Sequence, residues 1–101
     1  GFLEAVYQEA MEIELKKKNI VYESQKELKI DYKGIILKKC YKPDLVIESK
    51  IVSEIKVMEK LTKIEESIML NYLNITKYKV GLLINFGCKE KLEWKRFAMT
   101  Y

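Results

Sequence analysis

The chain reads as a single mixed α/β domain over residues 1–101, with a central sheet flanked by helices in the order helix, three strands, helix, strand. Three observations point there. Apolar residues recur at helical spacing near the start, strand-length runs with a Lys33-Gly34 turn fill the stretch to residue 57, and a capped amphipathic helix leads into the apolar run of residues 80–86.

The first helix is predicted over residues 2–18. Leu3, Val6, Tyr7, Ala10, Met11 and Leu15 form its buried stripe, while Lys16, Lys17 and Lys18 crowd its end, where the helix dipole favours cations. That lysine run suits either an ordinary helix end or a phosphate contact. Residues 21–32 alternate like an outer, half-solvated strand, and Lys33-Gly34 makes the turn into residues 35–41. That strand is expected to continue with a bend through Pro43 into residues 44–48, and residues 50–57 follow, so the three form a meander.

Thr62-Lys63-Ile64-Glu65 has the spacing of a capping box. The helix it opens runs toward Tyr78, with Ile64, Ile68, Tyr72 and Ile75 on one face. Residues 80–86 are continuously apolar apart from Asn85, as expected of a strand buried on both sides after a crossover helix. Gly87 ends it. Residues 91–101 form a last strand in this reading, with Trp94 expected as a partly buried cover for the sheet edge; stacking on a nucleic-acid base is the alternative.

Composition narrows the chemistry. The chain has no histidine, which leaves carboxylates, lysines and tyrosines to carry any reaction. Cys40 and Cys88 stand far apart without a paired-cysteine motif, so neither a zinc site nor a disulfide framework is expected, and reduced cysteines suit a cytoplasmic protein. No apolar run approaches the roughly 20 residues of a membrane span, and the start lacks a signal-peptide layout. A formal charge of +4 with a pI near 9.0 favours acidic partners.

The chemistry concentrates at Asp44, Glu54 and Lys56. Alternation along a strand puts Glu54 and Lys56 on one face, and a hairpin turn at Glu48-Ser49-Lys50 would bring Asp44 beside Glu54. Two carboxylates about 4 Å apart repel by roughly 4 kcal/mol at an effective dielectric near 20, so a site holding both ionised calls for a cation. Mg²⁺ fits, because it takes a few carboxylates and fills its other positions with water and phosphate oxygens. The other reading of the same residues is a solvated salt-bridge ladder. Glu4, at the edge of the first helix's stripe, is likewise either a third acid facing the sheet or an acid suited to the helix N-terminus.

Gly1-Phe2-Leu3-Glu4-Ala5-Val6-Tyr7, Glu23-Ser24-Gln25, Tyr32-Lys33-Gly34, Pro43-Asp44-Leu45, Glu54-Ile55-Lys56 and Val80-Gly81-Leu82-Leu83-Ile84-Asn85-Phe86 together resemble the GxxE protein family, which is placed in the PD-(D/E)XK nuclease-like superfamily. The resemblance spans nearly the whole chain. It implies a restriction-endonuclease-like αβββαβ core that binds Mg²⁺ or Mn²⁺ through Glu4, Asp44, Glu54 and the backbone carbonyl of Ile55, with Lys56 as the catalytic lysine. Tyr72, Lys42 and Gln25 are implied as substrate-positioning residues. Relatives carry a further helical segment before this point, so the chain is expected to be trimmed at its N-terminus.

One departure bears on activity. Where the family carries His-Glu-Ala-Gln followed by Tyr four residues after the Gln, this chain reads Glu65-Glu66-Ser67-Ile68 and then Tyr72, and an isoleucine can neither donate nor accept a hydrogen bond. Lys42-Pro43 also stands where the family often has Arg-Ala; the charge is kept and the planar fork is lost. The expected function is metal-dependent hydrolysis of DNA or RNA phosphodiesters. The alternative is a catalytically impaired nuclease-fold module that binds nucleic acid or a protein partner, with a homodimer as a third arrangement.

Overall fold

In the computed structural model, which describes all residues from Gly1 to Tyr101, the first helix, α1, spans Phe2–Lys17. Lys16 and Lys17 occupy its last turn, against the negative end of the dipole. The buried stripe is narrower than predicted. Leu15 is buried and Tyr7 and Met11 pack with it on Leu45, Ile47 and Ile55, whereas Leu3 and Val6 are 55% and 46% exposed. The helix rests on Leu45, Ile47 and Ile55, with Tyr7 stacked on Phe86, so it buries the single row at residues 7, 11 and 15 and leaves the flanks of its stripe open.

The predicted meander is present but broken at one level. Its first strand is divided into β1 (Tyr22–Ser24) and β2 (Leu28–Tyr32), and its second into β3 (Ile35–Tyr41) and β4 (Leu45–Ile47). β1 pairs antiparallel with β4 and β2 with β3, so one long hairpin bends sharply halfway. Both breaks have a backbone cause: Gln25 adopts φ 54, and Pro43 has no N–H to give to a ladder. At the far end Lys33 and Gly34 both have positive φ, 51 and 85, the pattern of a two-residue hairpin turn.

β5 (Ile51–Lys56) follows a tight turn at Glu48 and Ser49, which also take positive φ. The second helix, α2 (Lys63–Thr76), carries the predicted capping box: Thr62 accepts from the Ile64 N–H, and the Thr62 N–H donates to Glu65 at 2.7 Å. β6 (Val80–Asn85) then lies parallel to β5, and β7 (Glu93–Ala98) pairs antiparallel with β6. The main sheet has the order β1-β4-β5-β6-β7, mixed, with β5 and β6 at its centre.

α2 turns a different face inward from the predicted one. Met69 and Leu73 are buried and Tyr72 packs beside them, while Ile64, Ile68 and Ile75 are exposed. The cause lies in β6. A Cβ at Gly81 would come within 2.6 Å of Met69 Sδ and 3.0 Å of Leu73 Cδ1, so the missing side chain lets that row settle onto the strand. Trp94, expected to be half-covered, is 61% exposed: on that side α1 packs on β4 and β5 and, through Tyr7, on Phe86 just after β6, while Trp94 on β7 stays open. No helix is long and apolar enough to cross a membrane, and Cys40 and Cys88 are both free thiols.

Candidate active site

β4 and β5 bring Asp44 and Glu54 face to face. Leu45 pairs with Ser53, so the residues just before and after them stand opposite each other on one face of the sheet. The pair is locked by the main chain. Glu54 Oε1 accepts from the Asp44 N–H at 2.8 Å, and Asp44 Oδ2 accepts from the Ile55 N–H at 2.7 Å. One oxygen of each carboxylate is thus fixed, and the other is left without a donor from the main chain.

The carbonyl side of Asp44 is held as firmly. Gln8 on α1 donates to Asp44 O at 3.0 Å and to Ser24 Oγ at 3.1 Å, and the Gln25 N–H donates to Asp44 O at 3.3 Å. Gln25 therefore acts here through its backbone, in the left-handed conformation that bends the hairpin. Sequence reasoning missed Gln8. Its signal was its place one helical turn after Glu4, on the side of α1 that meets the sheet.

Because Ile55 packs under α1, its neighbours Glu54 and Lys56 project to the opposite side, toward α2. There Glu54, Lys56, Glu65, Ile68, Met69, Tyr72 and Leu83 line a pocket of about 20 Å³, room for roughly one water. Tyr72 forms its wall by stacking on Tyr41, ring centroids 3.8 Å apart. Tyr41 was the second omission. Its hydroxyl is buried with no hydrogen-bond partner of good geometry, yet it lies close enough to Glu54 for the two to affect each other's ionisation.

The electrostatics follow from this enclosure. Desolvation first, and then the charge of Asp44, push the Glu54 carboxyl up to about 7, against the opposing pull of the Asp44 N–H and of Lys56. Burial and the neighbouring Glu54 charge hold the Tyr41 phenol protonated far above its ordinary range. Glu65 is displaced in the opposite direction, because the Thr62 hydroxyl and N–H donate to its carboxylate.

The remaining residues fall at different distances from this centre. Glu4 sits in the first turn of α1, partly exposed and 3.6 Å from the Gly1 amino nitrogen, and Asp44, Glu54 and Glu4 do not close into a three-acid cluster. Lys42 is exposed and paired with Glu27 at 3.6 Å. The Ile55 side chain is in the core, so only its carbonyl is a candidate ligand. The donor set suits a hard cation: paired carboxylates with open oxygens, no imidazole or thiolate, and an orphaned hydroxyl beside them.

Asn85, opposite Lys56 in the β5–β6 register, fixes the loop that leaves the site. Its Oδ1 accepts from the Met58 and Gly87 N–H groups, and its Nδ2 donates to Met58 O and to Glu93 Oε1. Glu93 Oε1 also accepts from the Leu61 N–H at 2.9 Å, which with the Asn85 bond lowers the Glu93 pKa. A buried asparagine in an apolar run was the available sequence signal for this clamp.

Paired acids and a lysine at the adjoining strands β4 and β5, walled by the crossover helix, mark a nuclease-like α+β fold. The chain belongs to the PD-(D/E)XK nuclease superfamily, whose profile matches residues 1–97. Among solved structures it resembles SSO0001, with a TM-score of 0.69, 20% identity, and coverage of 95% of this chain and 50% of that one. It also resembles an alkaline exonuclease, LHK-Exo from Laribacter hongkongensis, with a TM-score of 0.58, 14% identity, and coverage of 95% and 56%. The chain thus spans about half the length of each. No curated protein is significantly similar in sequence.

Proposed function

We propose that this chain is a nuclease domain of the GxxE type, a single unit over residues 1–101, that hydrolyses DNA or RNA phosphodiesters with Mg²⁺ or Mn²⁺. The observation that carries the reading is the interlocked Asp44–Glu54 pair, each acid with one oxygen fixed by an N–H and one open, beside Lys56. Asp44 and Glu54 would hold the ion, with the Ile55 carbonyl and Glu4 as further ligands, the latter directly or through water. Glu4 lies one helical turn, about 5.4 Å, from Gln8, which touches the Asp44 backbone. When bound, the ion supplies Lewis-acid polarisation of the phosphate and a more acidic water.

The chain's own groups do the rest. The Lys56 ammonium orients the attacking water and offsets the charge that grows on the phosphoryl oxygens. The main-chain N–H groups on Asp44 and Glu54 keep both carboxylates in place before substrate arrives, and Tyr72 positions substrate from the pocket wall. Nucleic acid is the partner in this reading.

The test is cleavage of single-stranded, double-stranded and branched substrates with Mn²⁺, alongside calorimetric titration of the metal into wild type, Asp44→Ala and Glu54→Ala. Metal binding and cleavage are expected in wild type and absent from both variants; intact substrates throughout would sink the reading. Ile68 at the pocket rim favours one other reading, a binding module that has lost its polar substrate network. That module would bind nucleic acid in EDTA, with affinity falling steeply with salt, and leave it uncut.

A further inference from the structure

The charge of this chain is not spread evenly. Of 19 basic and 15 acidic residues, 6 and 2 fall between Lys26 and Lys42, so the remainder of the chain carries 13 of each sign. The whole net positive charge therefore resides on the β2–β3 ribbon and its two roots. Lys26 and Lys42 are paired with Glu23 and Glu27, while Lys29, Lys33, Lys38 and Lys39 are exposed and make no salt bridge.

The same ribbon is apolar on one side. Alternation along β2 puts Leu28, Ile30 and Tyr32 on one face, and pairing adds Tyr41 at the root and Ile35 at the tip; between Lys29–Cys40 and Asp31–Ile36 the register shifts, so Leu37, Lys38 and Lys39 bulge opposite Ile30. The root is buried in the core under α2, whereas Tyr32 and Ile35 are exposed. This is also the face of the catalytic pocket, because Tyr41 stacks on Tyr72, a pocket residue. The four residue steps of β2 from Leu28 to Tyr32 extend it roughly 14 Å from the site at about 3.4 Å per residue.

We propose that the β2–β3 ribbon is a duplex-binding arm: it lies in a groove of double-stranded nucleic acid, its lysines on the phosphates and its apolar face on the sugars and base edges. The inference rests on the nucleic-acid reading above and adds where, and in what form, the substrate is held. A two-stranded ribbon fits a major groove about 12 Å wide. The arm's reach corresponds to about four base steps at 3.4 Å each, so it grips the duplex within about half a turn of the phosphate at Asp44 and Glu54. A second copy of the chain is disfavoured on the same face, because it would bring unpaired lysines against unpaired lysines.

The test is fluorescence anisotropy with a 30-base-pair duplex in EDTA between 50 and 200 mM salt. It compares wild type, the ribbon variant Lys29→Gln/Lys33→Gln/Lys38→Gln/Lys39→Gln, and the helix variant Lys16→Gln/Lys17→Gln/Lys18→Gln. The ribbon variant is expected to bind at least about tenfold more weakly, with a salt slope smaller by about 2 to 4, roughly one for each phosphate that the lysines no longer neutralise. The helix variant is expected to lose less than about threefold, although it gives up nearly as much charge. Equal losses in the two variants would reduce the effect to net charge and overturn the proposal, as would unchanged binding by the ribbon variant or a change confined to self-association. Cleavage with Mn²⁺ separates this from the catalytic reading: an uncut duplex with ribbon-dependent binding sinks the nuclease and keeps the arm, and normal cleavage with ribbon-independent binding does the reverse.

Discussion

Tyr41 and Tyr72 lie ring on ring, centroids 3.8 Å apart and planes 15° from parallel, and this contact ties the strand that leads into Asp44 to the helix that walls the pocket. The stack brings a phenol into the core beside a carboxylate and leaves its hydroxyl without a geometric partner. Its two roles are separable. Tyr41→Phe keeps the rings and removes the orphaned hydroxyl, so it is expected to leave stability unchanged or raise it by about 1 kcal/mol. Tyr41→Ala removes the ring and is expected to cost about 3 kcal/mol or more. Urea unfolding of both variants decides the matter; a loss above about 1 kcal/mol in Tyr41→Phe would mean that the hydroxyl donates to Glu54 after all.

The raised Glu54 pKa makes stability depend on pH with a definite sign. A carboxyl at about 7 in the folded chain and near 4.5 when unfolded holds its proton more tightly in the native state between those values. Folding stability from this group is therefore full below about pH 4.5, falls as pH rises, and levels off above about 7. A shift of this size corresponds to at most about 3 kcal/mol. Glu54→Gln is expected to remove that decline, so the wild-type-minus-variant difference in unfolding free energy across pH 5–8 isolates it. The same proton has to leave when a divalent cation binds, and titration in buffers of different ionisation heat should show release of nearly one proton at pH 6 and almost none at pH 9.

The backbone order of this fold was legible because its signals are local. Thr62 and Glu65 spell a capping box, Lys33-Gly34 marks a turn, residues 80–86 read as a buried strand and β6 fills all but the last of them, so each occupies its predicted place. Alternation also sufficed to put Asp44 opposite Glu54 once the Glu48-Ser49 turn set the register. What stayed hidden depends on partners distant in sequence. Which row of α2 is buried was decided by the missing side chain at Gly81, and which part of α1 is buried by the apolar patch of Leu45, Ile47, Ile55 and Phe86 beneath it. Gln8 and Tyr41 belong to the site only because of what they touch, and neither residue type carries a motif. The bend at Gln25 gave no warning either, since glutamine seldom takes positive φ.

The turn after β6 packs so closely on the loop after β5 that it tolerates no side chain. A Cβ at Gly87 would lie 2.4 Å from the Met58 nitrogen and 2.5 Å from its oxygen, both backbone atoms that cannot step aside. Gly87→Ala is expected to cost at least about 2 kcal/mol, from overpacking together with strain on the Asn85 bonds to Met58 and Gly87. The loop begins one residue after Lys56, so the variant should also loosen the lysine. Thermal unfolding checks the first effect, and amide hydrogen exchange at Met58, whose N–H donates to Asn85, checks the second.

Ile68 offers the sharpest separation of the two functional readings. It stands 45% exposed at the rim of a pocket that holds Glu54 and Lys56, so its side chain contributes little burial, and Ile68→Gln should change stability by less than about 1 kcal/mol. A glutamine there would add a donor and an acceptor where the pocket now has an apolar rim. If hydrolysis is limited by poor positioning of substrate, the variant is expected to cleave several-fold faster in Mn²⁺ than wild type, mainly through kcat, because a group that orients the reacting phosphate acts in the transition state. If the domain is a binding module, Ile68→Gln should leave the duplex uncut. Turnover measured on one substrate for Ile68→Gln and for the double variant Ile68→Gln/Glu54→Gln settles it, since any gain that survives loss of Glu54 cannot come from this site.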